Sequence, residues 1–195
     1  MLVVSYSSVK LGERRPDNHW SAAITSQLEK CNTLAELHRA KTAWVIPNPW
    51  DVGSAKVLEG LGFKAIATTS SGFAYTLGRA DGEVSLEEKL LHCKMIAEAT
   101  SIPLNADFEN GFADDPDDIA RNIDRLAQTG IAGYSIEDYS RDDHTLYDFD
   151  FAVERIEAAV NPLITAGKEM LETGTFSWLD SVARGQEIRK LIGAA

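Results

Sequence analysis

Asp107-Phe108-Glu109 sets two carboxylates two residues apart at the end of an apolar run, Ile102 to Ala106. In extended chain such a pair faces the same way. Two like charges held together repel and need compensation. A hard divalent cation supplies it, and Mg²⁺ prefers a few carboxylates plus waters in octahedral geometry. Glu137 closes the next apolar run and could add a third carboxylate, and Asp81 in an earlier loop a fourth. An isolated acidic pair of this kind more often caps the next helix and binds loop amides. The additional acids shift the balance toward a cation site. Ser71-Gly72 follows another apolar run, and a glycine there allows backbone N–H groups to approach an anion closely. Relief of a tight turn explains that glycine equally well.

Other reactive residues carry less. His38 lies in a helical apolar pattern and reads as packing, and His92-Cys93 falls in mid-helix without ligand spacing. Arg141 and His144 lie in an acidic stretch that reads as a solvated loop. Phosphate-loop, GxGxxG, GxSxG and HExxH motifs are absent from the sequence.

The elements that must position these groups alternate. A helix is expected over about 26–40, then a buried strand at Trp44–Asn48 and a helix over 52–61, opened by Asp51 and stopped by Gly62. A second strand covers Ala65–Ser70 and runs into a glycine-punctuated loop, Gly72 to Gly82. Ser85 and Glu88 form a capping box for a helix reaching about Thr100. A third strand follows at 102–107, a helix at 116–129, a fourth strand at 133–137 and a helix at 148–160. Four strand–helix units in succession predict an α/β fold with about four parallel strands, wound open or as a barrel. Ligands in such folds bind at the carboxyl ends of the strands, where the acids above fall. Residues 1–26 read as a loosely ordered N-terminal extension with a short strand near its start, 27–160 as the βα units, and 161–195 as a C-terminal helical segment.

The 195 residues carry a formal charge of −11, and residues 81–150 hold 18 acids against 5 bases. That balance disfavours nucleic acid and anionic membrane as partners. Two cysteines without CxxC spacing argue against a thiol zinc site or a disulfide framework. The start of the chain has no signal-peptide core, and no apolar run approaches a membrane span of about 20 residues. The expected location is the cytoplasm.

Taken in order, four stretches resemble the isocitrate lyase/phosphoenolpyruvate mutase superfamily. They are Pro47 to Ala55, Thr69-Ser70-Ser71-Gly72 with Leu77 to Gly82, Asp107 to Phe112, and Gly133 to Asp138. Glu169 to Phe176 is similar to the family's closing helical segment. The resemblance covers about 27–160 and, after a gap, 163–192. It implies a (β/α) TIM-barrel type of fold and Mg²⁺ (or Mn²⁺) bound with an α-keto or α-hydroxy carboxylate whose C–C or P–C bond is made or broken. Asp107 would be the direct metal ligand. Glu109, Glu137 and Asp81 would hold its waters, and Ser71-Gly72 would receive the substrate carboxylate. A homo-oligomer exchanging its C-terminal helix is also implied.

Two departures from the family pattern stand out. The lyase branch carries a Lys-Lys-Cys-Gly-His type loop after the fourth strand. Asp138-Tyr139-Ser140-Arg141-Asp142-Asp143-His144 has neither the cysteine nor the lysines. Strands five to eight also have no counterpart, since Asn161-Pro162-Leu163 leads directly to the C-terminal segment. The expectation is an incomplete barrel with oxaloacetate decarboxylase-like or phosphonopyruvate-like chemistry. The alternative is a catalytically silent half-barrel that keeps the carboxylates and mainly self-associates.

Overall fold

The computed structural model describes the backbone of residues 2–5 and 19–172, with side chains over 27–160. In chain order the elements are β1 (Leu2–Ser5), α1 (His19–Arg39), α2 (Val52–Gly60), β2 (Ile66–Ala67), α3 (Ser70–Thr76), α4 (Leu86–Ala99), β3 (Leu104–Asp107), α5 (Pro116–Ala127), β4 (Gly133–Ile136) and α6 (Phe149–Glu172). The sheet order is β1-β4-β3-β2. Strands β2, β3 and β4 are parallel, whereas β1 runs antiparallel along β4. This is a partial α/β barrel sheet with helices alternating between its parallel strands.

The helix boundaries follow local chemistry. Asp51 and Ser54 form a reciprocal cap on α2, Ser85 and Glu88 one on α4, and Asp115 caps α5 with Pro116 in its first turn. Gly62 and Gly130 both adopt a φ of +87°, which only glycine enters freely, just past α2 and α5.

Four expectations are corrected. The parallel strands number three, because Trp44–Asn48 does not form a strand. Its backbone contributes one bond, Ala67 N–H to the Pro47 carbonyl at 3.0 Å, and the Asn48 amide donates to Ala67 O at 3.1 Å. Pro47 and Pro49 have no N–H with which to extend a ladder. The helix expected over about 26–40 starts earlier, since α1 begins at His19, while the short strand expected near the start of the chain is present as Leu2–Ser5, paired with Ile136–Gly133. The loop after β2 starts as the short helix α3, nucleated by Thr69, whose hydroxyl accepts the Gly72 N–H. Finally, α6 is continuous through Pro162 to Glu172, because one missing donor does not dissolve a long hydrogen-bonded ladder. The rest of the expected C-terminal helical segment, residues 173–195, lies outside the described residues.

One face of the parallel strands packs on α4, α5 and α6. Ile66, Leu104, Ala106, Tyr134 and Ile136 meet Cys93, Ile96, Ile119, Ile123 and Leu126 there, all buried. The opposite ends of α4 and α5 are clamped by α1. Gln27 donates to the carbonyls of Ala127 and Ile131, and Lys30 to those of Ala97 and Thr100, at 2.6–2.9 Å. Ile123 is 1% exposed at the centre of this layer. Its replacement by alanine is expected to cost about 2–5 kcal/mol in urea unfolding, and a loss below 1 kcal/mol would contradict the packing described.

Candidate active site

The register builds the site. Asp107 pairs across β3–β4 with Ser135, so Asp107, Ser135 and Glu137 share one face at the carboxyl ends of the strands. Asp107 is anchored on both sides. Its N–H donates to the Thr68 hydroxyl (2.9 Å), and its Oδ2 accepts the Ser70 N–H at the start of α3 (2.8 Å). Oδ1 is nearly unencumbered, with a long 3.4 Å contact from the Glu109 N–H.

Past Asp107 the chain turns sharply. Glu109, Gly111 and Phe112 all take positive φ, 47°, 83° and 58°. Left-handed geometry at two non-glycine residues is a strain the surroundings must over-determine. They do so. The Glu109 carbonyl accepts the Glu137 N–H (2.8 Å), which sets the two acids side by side, and Asn110 Oδ1 accepts the Phe112 N–H (3.1 Å). A Cβ on Gly111 would stand 3.2 Å from Ile119, a second reason for glycine there.

Glu109 is buried, and its Oε2 pairs with Arg141 Nε at 3.0 Å. Arg141 also donates to the carbonyls of Gly82 and Val84 and lies over the Phe112 ring, 4.6 Å from its centre. One guanidinium thus ties together the loops that follow β2, β3 and β4. The sequence reading of a solvated loop missed this, because the partners of Arg141 lie far away in the chain. His38, read as packing, and His92, read as lacking ligand spacing, both bond to backbone carbonyls and meet aromatic rings. His92 stacks on Phe73 and bonds to the Trp50 carbonyl, and His38 bonds to Leu34 O and meets Trp44 edge-on.

The acids act on one another. Burial pushes the Glu109 carboxyl up to about 7, with Asp81 and Asp107 adding to the rise and Arg141 and Lys89 opposing it. Glu137 is also raised, by partial desolvation first and then by Asp107, Asp81 and Asp138. Asp81 and Asp107 thus each act on both Glu109 and Glu137. Among the described residues, no three His, Cys, Asp or Glu side chains converge closely enough to grip an ion directly. Mutually repelling hard oxygen donors suit a hard cation that meets one carboxylate directly and the others through its waters. The donor set is of the kind that fits a hard divalent cation.

Ser71 and Gly72 lie in the first turn of α3. The Ser70 and Gly72 amides are occupied by Asp107 and Thr69, and the Ser71 amide bonds to no other group among the described residues. A Cβ on Gly72 would come within 2.5 Å of the Thr69 methyl, so glycine is required by the cap itself. Arg155, which sequence reasoning did not single out, is 1% exposed beneath the site. It donates to the carbonyls of Asn110, Ala113, Asp114 and Glu137 and lies over Tyr147, 3.7 Å from the ring centre.

A pH dependence follows from Glu109. The folded chain holds its proton more tightly than the unfolded chain, whose carboxyl titrates near 4.5. Stability of the metal-free protein therefore declines as pH rises from about 4.5 through about 7, by up to about 3 kcal/mol. Glu109→Gln should flatten that decline in urea unfolding at pH 5 and pH 8. Equal slopes in parent and variant would contradict the assignment.

The family model for phosphoenolpyruvate phosphomutase matches residues 34–172, which contain every strand-end acid described above. The chain belongs to that family. A 2,3-dimethylmalate lyase, itself a member of the PEP mutase/isocitrate lyase superfamily, superposes with a TM-score of 0.63 at 30% identity, over 75% of this chain and 49% of that one. The sequence of 2,3-dimethylmalate lyase from Eubacterium barkeri is 32% identical over 107 residues, covering 54% of this chain and 37% of the relative. A provisionally assigned lyase/mutase of Burkholderia cenocepacia J2315 is 40% identical with a TM-score of 0.68, over 70% and 50% of the two chains. The structure of an oxaloacetate acetylhydrolase aligns at 30% identity with a TM-score of 0.61, over 67% and 47%. The chain thus spans about half the length of these solved relatives. Activity at the level of the family is that of lyases and mutases on a TIM-barrel type of fold. No helix among the described residues is long and apolar enough to cross a membrane.

Proposed function

We propose that the chain is a divalent-cation-dependent, lyase-type protein acting on the C–C or P–C bond of a small α-keto or α-hydroxy carboxylate, with Mg²⁺ the preferred ion. The observation that carries this reading is the placement of Asp107, Glu109 and Glu137 at adjacent strand ends, fixed by the Asp107–Ser135 register and the Glu137 N–H on the Glu109 carbonyl, with Asp81 acting on both glutamates from the preceding loop. The likeness to a dimethylmalate lyase and to an oxaloacetate acetylhydrolase supports the substrate class.

Asp107 would hold the ion through its open oxygen, while its other oxygen stays on the Ser70 amide. Glu109, Glu137 and Asp81 would orient the ion's waters. The Ser71 amide would take the substrate carboxylate, with Gly72 keeping the approach clear. When bound, the cation withdraws charge from a chelated keto acid and stabilises an enolate. Arg141 would exclude water on the loop side by keeping the three loops closed on Glu109.

Oxaloacetate loss followed during an Mg²⁺ titration tests this, with Asp107→Ala as the control. Metal-dependent turnover that the variant lacks supports the reading, and turnover absent from the parent or unchanged in the variant overturns it. A second reading is a catalytically silent half-barrel that self-associates as a homo-oligomer. It is favoured by the sheet of three parallel strands and by exposed Val57 on α2, Leu61 just past it, and Leu91 and Met95 on α4. Sedimentation as a folded monomer would dismiss it.

A further inference from the structure

The sheet β1-β4-β3-β2 is guarded differently on its two sides. β2 is two residues long, and the segment beside it carries Pro47 and Pro49, which have no N–H to offer a further strand. The outer side of β4 is longer, and Gly133-Tyr134-Ser135-Ile136 contains neither proline nor charge. Hydrogen bonds fix which of its backbone groups face outward. Ser135 O accepts the Phe108 N–H at 3.0 Å, and the Glu137 N–H reaches Glu109 O at 2.8 Å, so residues 135 and 137 point toward β3 and its following loop. Tyr134 and Ile136 therefore turn their N–H and C=O groups the other way. There they stand opposite Val4 and Leu2 of the antiparallel β1. β1 is four residues long, so few backbone bonds fasten it.

We propose that the outer edge of β4 is a pairing surface for a second copy of this chain, and that β1 is the strap that keeps it occupied. This surface is independent of the strand-end cation site. A second β4 fits the edge by its own sequence. Two copies related by a two-fold axis and registered on Ser135 set Tyr134 of each opposite Ile136 of the other, the two residues whose backbone groups face outward. The same register puts Glu137 opposite Gly133 of the second copy and Asp138 opposite its Ala132, so no two acids meet across the pair. Val4 and Leu2 take the same two residues in the same antiparallel sense, so β4 cannot hold the strap and a second copy together. With β1 in place the sheet ends on a short strand. Without it an uncharged edge of unpaired donors and acceptors is bared.

Deletion of residues 1–6 tests this. Val4→Pro, which removes one donor of the strap, serves if the deletion variant does not fold. Sedimentation equilibrium gives the association constant, and amide hydrogen exchange followed by NMR reads Tyr134 and Ile136 individually. In the parent both amides are expected to be protected at every protein concentration. In the deletion variant they should exchange at least about tenfold faster in dilute solution and regain protection as the dimer forms. That variant should also associate at least about tenfold more tightly than the parent, while the Glu137 amide, bonded on the β3 side, changes little. A monomeric parent beside a dimeric variant supports the proposal. Association no tighter than the parent's overturns it, and so does a dimer in which Tyr134 and Ile136 go on exchanging, because the contact then lies elsewhere. Parent amides that exchange freely, or that gain protection only with concentration, as when β1 is exchanged between copies, overturn it as well.

Discussion

Asp107→Asn is expected to lower Mg²⁺ affinity by about 100-fold or more while leaving the fold intact. The two outcomes separate because the two oxygens of Asp107 do different things. Oδ2 receives the Ser70 N–H at 2.8 Å and so fastens α3 to the end of β3, a bond that an asparagine carbonyl oxygen can still accept. Oδ1 has only the long contact from Glu109 and is the oxygen open to an ion. Asparagine keeps the size and the acceptor but removes the charge, and an amide is a poor substitute for a carboxylate on a hard cation. Asp107→Ala would remove the fastening as well, at a further cost of about 1–3 kcal/mol for the stranded Ser70 amide. Calorimetric Mg²⁺ titration beside urea unfolding distinguishes the two effects. An asparagine variant that binds Mg²⁺ as the parent does would show that the ion, if bound, is held elsewhere.

The second large effect is on stability. Arg155→Met is expected to cost about 3–5 kcal/mol in urea unfolding, a large share of a typical domain's 5–15 kcal/mol. Methionine fills much of the same volume, so the cost comes from hydrogen bonds. The carbonyls of Asn110, Ala113, Asp114 and Glu137 converge on this one guanidinium, which is itself 1% exposed, and a methionine leaves all four without their donor. Three of those carbonyls belong to the turn that carries Glu109, and the fourth to Glu137 itself, so Mg²⁺ affinity should fall together with stability. Arg155→Lys retains the charge but not the planar fork, and should recover only part of the loss. A methionine variant within 1 kcal/mol of the parent would contradict this account.

The same contrast explains what could be read from the chain in advance. The α/β class, the capping residues Asp51 and Ser85, and the helix stop at Gly62 are governed by groups a few residues apart, and all were legible. So was the grouping of the acids, because parallel strands deliver their carboxyl ends to one side whatever the rest of the fold does. The failure of Trp44–Asn48 to form a strand was legible in part, since Pro47 and Pro49 flank the point where a ladder would continue. The pairing of Leu2–Ser5 with β4 was not, because a four-residue apolar segment specifies neither partner nor direction.

What remained hidden was the positive charge. Arg141, Arg155 and Lys89 are each unremarkable in sequence, one in an acidic loop and two within helices that also carry exposed charges. The bonds of Arg141 reach 57 and 59 residues back along the chain, and those of Arg155 span 18 to 45. Local pattern placed the acids, because periodicity and capping act over a turn or a strand. Which cations compensate them, and which amides stay open to a ligand, depended on loops converging in space, since Coulomb and hydrogen-bond energies depend on through-space distance and solvent exclusion, which residue spacing does not encode.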